Sequence, residues 1–369
     1  EPAATSAAGD APRDDVEQKL AAGYRELLGT APGLDQDFFE LGGHSLLAVR
    51  LFARIHKEFG LDLELATLLG AGTVRKLAAV VRGELKLPEP GSEPVRSVAA
   101  KKGQHVVPIQ TAGSRPPLFL VHGAGGNVLG FRDLSHYFGK DQPVYGLQAR
   151  GVDGKQAPHT TIAEMAAAYL AELREVQPHG PYCLGGYSGG GVVAFEMAQL
   201  LAQVGEAVPF VGMIDTWCPQ IPERGRFART LLHLGRLARR GPAYPFRILK
   251  VKWERRVAAR VNEEARERGG VMPQDLRGFD VQFAFERAFE SHQVAPYDGA
   301  VSLFRAEQQN QSTRYVFNED LGWAPFVRGG LRVAHCPGNH YTMCTEPNVQ
   351  VLCASMMTAM DEALAAAAR

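Results

Sequence analysis

The amino-acid sequence predicts two folded parts: a small all-α bundle of four helices, and an α/β domain whose sheet is mostly parallel. Composition shifts near residue 90, where a stretch with three prolines and few apolar side chains is typical of a linker. After this stretch, short apolar runs alternate with longer amphipathic segments, as in βαβ units. The predicted organisation is a flexible N-terminus over residues 1–13, a helical domain over 14–86, a linker over 87–104 and an α/β domain over 105–369.

Apolar spacing locates the helices of the first domain. Residues 15–28 and 45–59 carry apolar side chains at i, i+3 and i+4 intervals, so each stretch predicts an amphipathic helix. Thr73 is placed to cap a last helix that runs to about Val81. The stretch 63–69 predicts a further helical turn, which completes a bundle of marginal size for independent folding.

Short apolar runs rich in Val, Leu, Phe and Tyr predict the buried strands of the second domain. These strands cover residues 117–122, 144–148, 182–187, 209–215, 300–305 and 332–335. The helices predicted between and after them cover residues 161–176, 190–204 and 349–367. About 75 residues between Trp217 and Gln293 break the alternation, and they predict a helical insertion over about 218–293.

The predicted insertion is strongly basic. Residues 221–270 contain 14 Lys or Arg against 5 Glu, an excess of 9 positive charges. Most charge runs of this kind form a solvated helical face. The alternative is that the positive field attracts a phosphate group or an acidic substrate.

Composition excludes several classes of function. Lys plus Arg and Asp plus Glu are 40 each, so no excess positive charge is available for binding nucleic acid. No uncharged run is long enough to span a membrane, and the start has neither the basic region nor the apolar core of a signal peptide. The start also lacks a Met, and we expect a piece of a longer cytoplasmic protein. The five cysteines form no CxxC pair, so neither a disulfide framework nor a metal site is expected.

A serine follows two glycines at the predicted start of a helix, in the segment DFFELGGHSLL over residues 37–47. One interpretation is that Ser45 caps this helix with its hydroxyl. The other is that it carries an anionic group, which the free N–H groups at a helix start stabilise. The string DxFFELGGHSLLAVRL resembles the carrier-domain motif of nonribosomal peptide synthetases. This resemblance implies 4′-phosphopantetheine on Ser45, attached by a phosphopantetheinyl transferase.

A second serine lies in Gly186-Tyr-Ser188-Gly-Gly190, between a predicted strand and a predicted helix. This context is typical of a nucleophile elbow, although a glycine-rich turn with an ordinary serine has the same pattern. Asp215 ends an apolar strand, and His340 follows the last strand, so acid and histidine come after the serine in the order of α/β-hydrolase triads. The alternatives are a turn aspartate and a loop histidine without a role.

The other candidate residues concern the oxyanion. His122 ends the first strong strand in the run HGAGG, which resembles the oxyanion loop of α/β-hydrolases. The backbone N–H groups of Gly189 and Ala124 are therefore assigned to the oxyanion hole, with His122 as a structural residue of the loop. His335 lies within a strand and is expected to serve packing.

Residues 105–369 resemble the terminal thioesterase domain of peptide and polyketide synthetases through LFLVHGAGG, GYSGGG, the MID strand end and GNHYTM. The resemblance implies an α/β-hydrolase fold with a helical lid over the acyl channel. It also implies Ser188 as nucleophile, Asp215 as orienting acid and His340 as general base. Gly189 departs from the commonest elbow, where many relatives carry a larger residue, and this departure predicts a wider site.

Together, the two resemblances imply a carrier–thioesterase didomain that releases a carrier-bound acyl or peptidyl thioester through a Ser188 acyl-enzyme. Release by hydrolysis and release by cyclisation use the same residues. Expected partners are upstream synthetase domains and the carrier-bound substrate, with no nucleic acid and no membrane. The alternatives are release by carbon–carbon bond formation, a docking module with an inactive hydrolase domain, and a free esterase with an incidental helical domain.

Overall fold

The computed structural model describes residues 11–87, 105–154, 156–225, 227–228, 230–232, 238, 253, 257, 260, 274–309 and 314–369. The chain divides into two compact units, Glu1–Gln104 and His105–Arg369. Residues 88–104 of the predicted linker lie outside the described residues. So does most of the basic part of the insertion, including Arg239 and Arg240.

The first unit contains the helices α1 (Asp15–Leu28), α2 (Ser45–Phe59), α3 (Thr67–Gly70) and α4 (Val74–Leu85). Their starts follow from capping chemistry: the side chain of Asp14 accepts from Glu17 N at 2.9 Å, and that of Thr73 accepts from Lys76 N at 3.2 Å. The helix predicted to end near Val81 continues to Leu85. A buried apolar core holds these helices together, and it includes Leu20, Tyr24, Phe38, Leu51, Phe52, Ile55, Leu77 and Val81.

A buried ionic network joins α1 to α4. The guanidinium of Arg82, which is 1% exposed, donates to Asp14 Oδ2 at 2.8 Å and to Glu17 Oε1 at 3.2 Å. Arg13 donates to the same Glu17 oxygen at 2.6 Å. Burial raises the pKa of Glu17, but the hydrogen bonds from Arg13 and Arg82 outweigh it and lower that pKa to about 2. The carboxylate is therefore ionised whenever the unit is folded near neutral pH.

The second unit is built on a seven-stranded sheet. Its strands are β1 (Val106–Gln110), β2 (Leu118–Val121), β3 (Val144–Leu147), β4 (Cys183–Tyr187), β5 (Phe210–Ile214), β6 (Val301–Gln308) and β7 (Leu331–Asn339). Their order is β1-β3-β2-β4-β5-β6-β7, and every pair is parallel except β1 with β3. The prediction of a mostly parallel sheet is confirmed. The antiparallel edge strand β1 had not been predicted, because it contains Pro108 and is only partly buried.

Helices cover the sheet in two groups. They are α5 (Phe131–Tyr137), α6 (Ile162–Val176), α7 (Gly190–Gln203), α8 (Gln274–Ser291) and α9 (Asn348–Ala367). α7 lies against β2, β4 and β5 and contacts α6, whereas α9 lies against β5, β6 and β7 and contacts α5. β2 and β5 are buried along their whole length, which explains their uninterrupted apolar sequences. Within the described ranges, each helix is too short or too polar to span a lipid bilayer.

We expect Glu17→Gln to destabilise the first unit by about 3 kcal/mol, because it leaves the buried Arg82 guanidinium less well compensated. Hydrogen exchange of the α1 and α4 amides in the full chain measures this loss. Because folding lowers the pKa of Glu17, its contribution is complete above the ordinary value of 4.5 and disappears as the pH falls towards 2. Between pH 4.5 and about 2, the hydrogen-exchange protection of the α1 and α4 amides should therefore depend less on pH in Glu17→Gln than in the parent.

Asp15→Asn is the matched control for this prediction. Asp15 lies on the same helix and also pairs with a cation, Lys19, at 2.7 Å, but its side chain is 73% exposed. Exposed pairs contribute little, so this variant should keep the parent's protection. If both variants lost the same hydrogen-exchange protection, the buried network would stabilise the unit no more than an exposed ion pair does.

Candidate active site

The loop between β4 and α7 forms a sharp elbow that carries Ser188. Ser188 has a φ of 56°, in the left-handed region that non-glycine residues rarely adopt. The glycines on either side are required by close approach of the backbone. A Cβ on Gly186 would lie 2.5 Å from Gly191 N, and one on Gly190 would lie 2.6 Å from Val121 O. The elbow therefore exists only because these positions have no side chain.

Asp215 occupies the corresponding place after β5, and it is also left-handed, with a φ of 45°. Its backbone N–H donates to Phe304 O at 2.8 Å. Its Oδ1 accepts from Ala306 N at 2.9 Å and from Gln309 Nε2 at 2.8 Å, and its Oδ2 accepts from His340 Nδ1 at 2.8 Å. Three donors thus fix both carboxylate oxygens of a buried side chain.

These donors also set the charge of Asp215. Burial alone raises the pKa of the carboxyl, but the hydrogen bonds from His340, Ala306 and Gln309 outweigh burial, and the pKa lies below its usual value. Asp215 is therefore an anion at neutral pH. An anion at this position keeps the proton of His340 on Nδ1, which leaves Nε2 available as a base.

Tyr187 holds His340 beside the elbow. Its hydroxyl donates to His340 O at 2.6 Å, and its ring stacks on the imidazole with centroids 5.2 Å apart. Trp217 approaches the imidazole from another direction, at 5.6 Å. Because Tyr187 immediately precedes Ser188, these contacts bring the histidine loop to the serine. No hydrogen bond joins Ser188 to His340 in the described part of the chain, and such bonds often tighten only when substrate binds.

The run HGAGG after β2 packs on the elbow. A Cβ on Gly123 would lie 2.9 Å from Cδ1 of Tyr187. Among the described residues, the backbone N–H groups of Ala124 and Gly189 donate no hydrogen bond within the protein. Gly189 also lies at the N-terminus of α7, where the helix dipole favours negative charge. Both N–H groups are thus free to bind an oxygen that develops negative charge.

His122 is a buried structural residue of this loop. Its Nδ1 donates to Gly123 O at 2.6 Å, and its Nε2 accepts from the Tyr169 hydroxyl at 2.6 Å. Burial lowers the pKa of His122 to about 4, so the ring is neutral. A neutral imidazole with both nitrogens bonded is unavailable as a base, in contrast to His340.

The assignment of His335 to packing is wrong. Among the described strands β7 is the last of the sheet, and the His335 side chain is 45% exposed. Its Nε2 forms a hydrogen bond with Glu319 instead. Over the described ranges, the structure contains no group of three His, Cys, Asp or Glu side chains placed to hold a metal ion.

Ser45 is the first residue of α2, and the N-cap is His44, which has an extended backbone. The N-cap position therefore belongs to His44, one residue before Ser45. The loop before Ser45 requires glycine at two positions. Gly42 has a φ of 89°, and a Cβ on Gly43 would lie 2.5 Å from Phe38 O. The loop thus delivers Ser45 to the positive end of α2, whose first turn contains no acidic residue.

Sequence reasoning missed two residues of the site. Gln309 reaches Asp215 only because β6 extends to Gln308, three residues beyond its predicted end. Tyr187 could have been noticed, because an aromatic residue directly before the serine must lie at the same edge of the sheet. Its partner, the carbonyl of His340, could not be read from any sequence pattern.

Comparison with known proteins gives two family matches. Residues 116–356 match the thioesterase domain family, and residues 18–81 match the phosphopantetheine attachment site family. The chain is 41% identical to malpibaldin synthetase of Mortierella alpina over 206 residues. This alignment covers 56% of this chain and 4% of the synthetase. Over 327 residues it is 30% identical to enterobactin synthase component F of Escherichia coli O157:H7, which covers 86% of this chain and 22% of that protein.

A crystal structure of a four-domain nonribosomal peptide synthetase is also similar. It has a TM-score of 0.56 and 28% sequence identity, over 97% of this chain and 27% of the synthetase. The chain therefore spans only a small part of the length of each of these relatives. The family match and the mostly parallel sheet together give the second unit an α/β-hydrolase fold.

We expect Tyr187→Phe to slow the reaction of Ser188 with a serine-directed fluorophosphonate by about 5- to 10-fold. The variant keeps the stacked ring but loses the hydrogen bond to His340 O, which typically contributes about 1 kcal/mol. Labelling rates followed by intact mass measure the effect. Tyr341→Phe is the control, because its ring also meets His340 but is 73% exposed. Equal rates in parent and Tyr187→Phe would show that the hydrogen bond does not position the histidine.

Proposed function

The chain belongs to the thioesterase domain family, with a phosphopantetheine attachment domain ahead of it, and we propose that it releases an acyl or peptidyl chain held as a thioester on its own carrier domain. The single observation that carries the proposal is the hydrogen bond from His340 to Asp215, placed beside the strained elbow of Ser188. In this proposal Ser188 is the nucleophile, His340 the general base and Asp215 the orienting acid.

The surroundings of Ser45 fit the phosphodiester of 4′-phosphopantetheine. Ser45 begins a 15-residue helix whose first turn lacks acidic side chains, so the backbone N–H groups of that turn would hold the phosphate. When attached, this group supplies a terminal thiol that carries the acyl chain as a thioester. A phosphopantetheinyl transferase would install it, and upstream synthetase domains would supply the acyl chain.

Acylation of Ser188 starts the proposed reaction. His340 Nε2 takes the hydroxyl proton while Ser188 Oγ attacks the thioester carbonyl, and Asp215 stabilises the imidazolium that forms. The free N–H groups of Gly189 and Ala124 bind the oxyanion, and each such donor typically contributes about 10²–10³ in rate. His340 then returns the proton to the leaving thiol, which leaves the acyl chain as an ester on Ser188.

Deacylation uses the same residues, with Ser188 Oγ now as the leaving group. His340 takes a proton from water, or from a hydroxyl or amine of the acyl chain itself, and that group attacks the ester carbonyl. His340 then returns the proton to Ser188 Oγ as the bond between Oγ and the acyl carbon breaks. Water yields a free acid, whereas an internal nucleophile yields a ring. Which of them reacts depends on how well the site excludes water. The hydrogen bond between His340 and Asp215 and the free N–H groups of Gly189 and Ala124 support this proposal over a docking module with an inactive hydrolase domain.

The proposal extends to the limits and parts of the domains. The carrier comprises residues 14–86 as a four-helix bundle, in which the four-residue α3 is the shortest helix. The thioesterase domain comprises residues 105–369, and the insertion over about 218–293 serves as a lid. Of this insertion, α8 is the longest part that the structure describes. Because the linker over 87–104 joins the carrier to the thioesterase domain in one chain, it raises the effective concentration of the thioester for Ser188.

We expect Ser188→Ala to lower release from the holo-carrier by at least about 10³-fold and to leave acyl loading on Ser45 unchanged, because only the nucleophile is removed. Intact-mass spectrometry of the chain after loading with an acyl group measures both quantities. Ser45→Ala should show the reverse pattern, with no loading but normal fluorophosphonate labelling at Ser188. Normal turnover by Ser188→Ala would end the assignment of the nucleophile.

A further inference from the structure

Three apolar side chains of α8 form a buried stripe along one side of the helix. Val281, Phe285 and Phe289 lie at i, i+4 and i+8, so they share one face. They are 2%, 2% and 9% exposed, whereas Phe279 on the same helix is 50% exposed. The stripe is therefore packed into the domain over its whole length.

The stripe follows the catalytic edge of the sheet. A Cβ on Gly126, in the loop after β2, would lie 2.5 Å from Cγ1 of Val281. One helical turn later, Phe285 lies over the elbow, and a Cβ on Gly189 would lie 2.8 Å from its Cζ. A further turn later, the ring of Phe289 lies 5.8 Å from that of Trp217, the residue that also contacts His340.

Gly189 is a glycine for steric reasons alone. Its φ is −60°, a helical value that any residue adopts without strain. What excludes a side chain is the ring of Phe285, which occupies the space where the Cβ would be. Phe285 also meets His122 edge to face, with centroids 5.5 Å apart. The ring thus contacts both the elbow, at Gly189, and the loop after β2, at His122.

We propose that Phe285 is a specificity-determining residue that forms the wall of the acyl subsite beside Ser188. This inference rests on the proposed function. The ring takes the volume that a larger side chain at position 189 would fill, so the missing side chain does not widen the site. Ser188 itself is only 7% exposed, which leaves little room beside the reacting carbonyl. The subsite therefore favours acyl thioesters that are unbranched at the carbon next to the carbonyl.

The test uses the full chain and two synthetic substrates, the N-acetylcysteamine thioesters of hexanoic acid and 2-methylhexanoic acid. The parent should prefer the unbranched thioester. Phe285→Ala should raise kcat/KM for the branched thioester relative to the unbranched one by about 10-fold or more, the usual effect of one methyl group in an apolar pocket. Phe279→Ala, on the exposed side of α8, should leave this ratio unchanged. Phe285→Leu serves in its place if circular dichroism shows that Phe285→Ala is unfolded.

A double-mutant cycle tests the steric match between the two residues. Gly189→Ala should lower kcat/KM for both thioesters in the parent, because its methyl group meets the Phe285 ring. In the Phe285→Ala background, the factor by which Gly189→Ala lowers kcat/KM should be at least 10 times smaller than in the parent. A loss of equal size in both backgrounds would overturn the proposed match.

The outcomes separate this inference from the function on which it rests. If the parent hydrolyses the thioesters and Ser188→Ala does not, but the folded Phe285 variants keep the parent's ratio, the inference is wrong and the proposed function stands. If the parent hydrolyses neither thioester and its Ser188 is not labelled by a fluorophosphonate, both are overturned.

Discussion

The close approach of α7 to the end of β4 is the constraint on which the rest of the site depends. Gly186 and Gly190 allow the backbone of the elbow to pass against its neighbours, and Ser188 takes a left-handed conformation as a result. Such a conformation costs on the order of 1–3 kcal/mol and persists only where the surroundings enforce it. Here the enforcement is a backbone hydrogen bond from Ser188 to Ile214 and the central position of β4 in the sheet.

Parallel pairing of β4 and β5 brings Ser188 and Asp215 to the same edge of the sheet. Tyr187 and Ile214 are register partners at the ends of β4 and β5, so Ser188 and Asp215 are each the first residue beyond a paired position. Adjacent strands are about 4.8 Å apart, so the two residues are neighbours at one edge of the sheet. His340 directly follows β7. β6 lies between β5 and β7, and Asp215 accepts hydrogen bonds from Ala306 N in β6 and from Gln309, the residue after β6.

Features of the site that depend on neighbouring residues in the sequence could be predicted, whereas features that depend on distant residues could not. The order of serine, acid and histidine was readable because the carboxyl ends of parallel strands meet at one edge, and short apolar runs mark those ends. Residues whose role depends on a partner far away in the sequence were not readable, as with Tyr187 and the carbonyl of His340. His335 was misjudged for a related reason, since nothing in the sequence marks β7 as an edge strand. β1 was not predicted because it contains Pro108, and a proline argues against a central strand. At the edge of a sheet, where β1 lies, a proline is tolerated.

The predicted insertion contains a basic part and the helix α8 with its buried apolar stripe. Only the basic part was noticed in the sequence. The excess of positive charge is confined to residues 221–270, whereas α8 contains four acidic and two basic residues. Its apolar stripe is wedged between the oxyanion loop, through Val281, and the elbow, through Phe285. Because α8 packs against both of these loops, the position of the helix and the positions of the two loops are determined together.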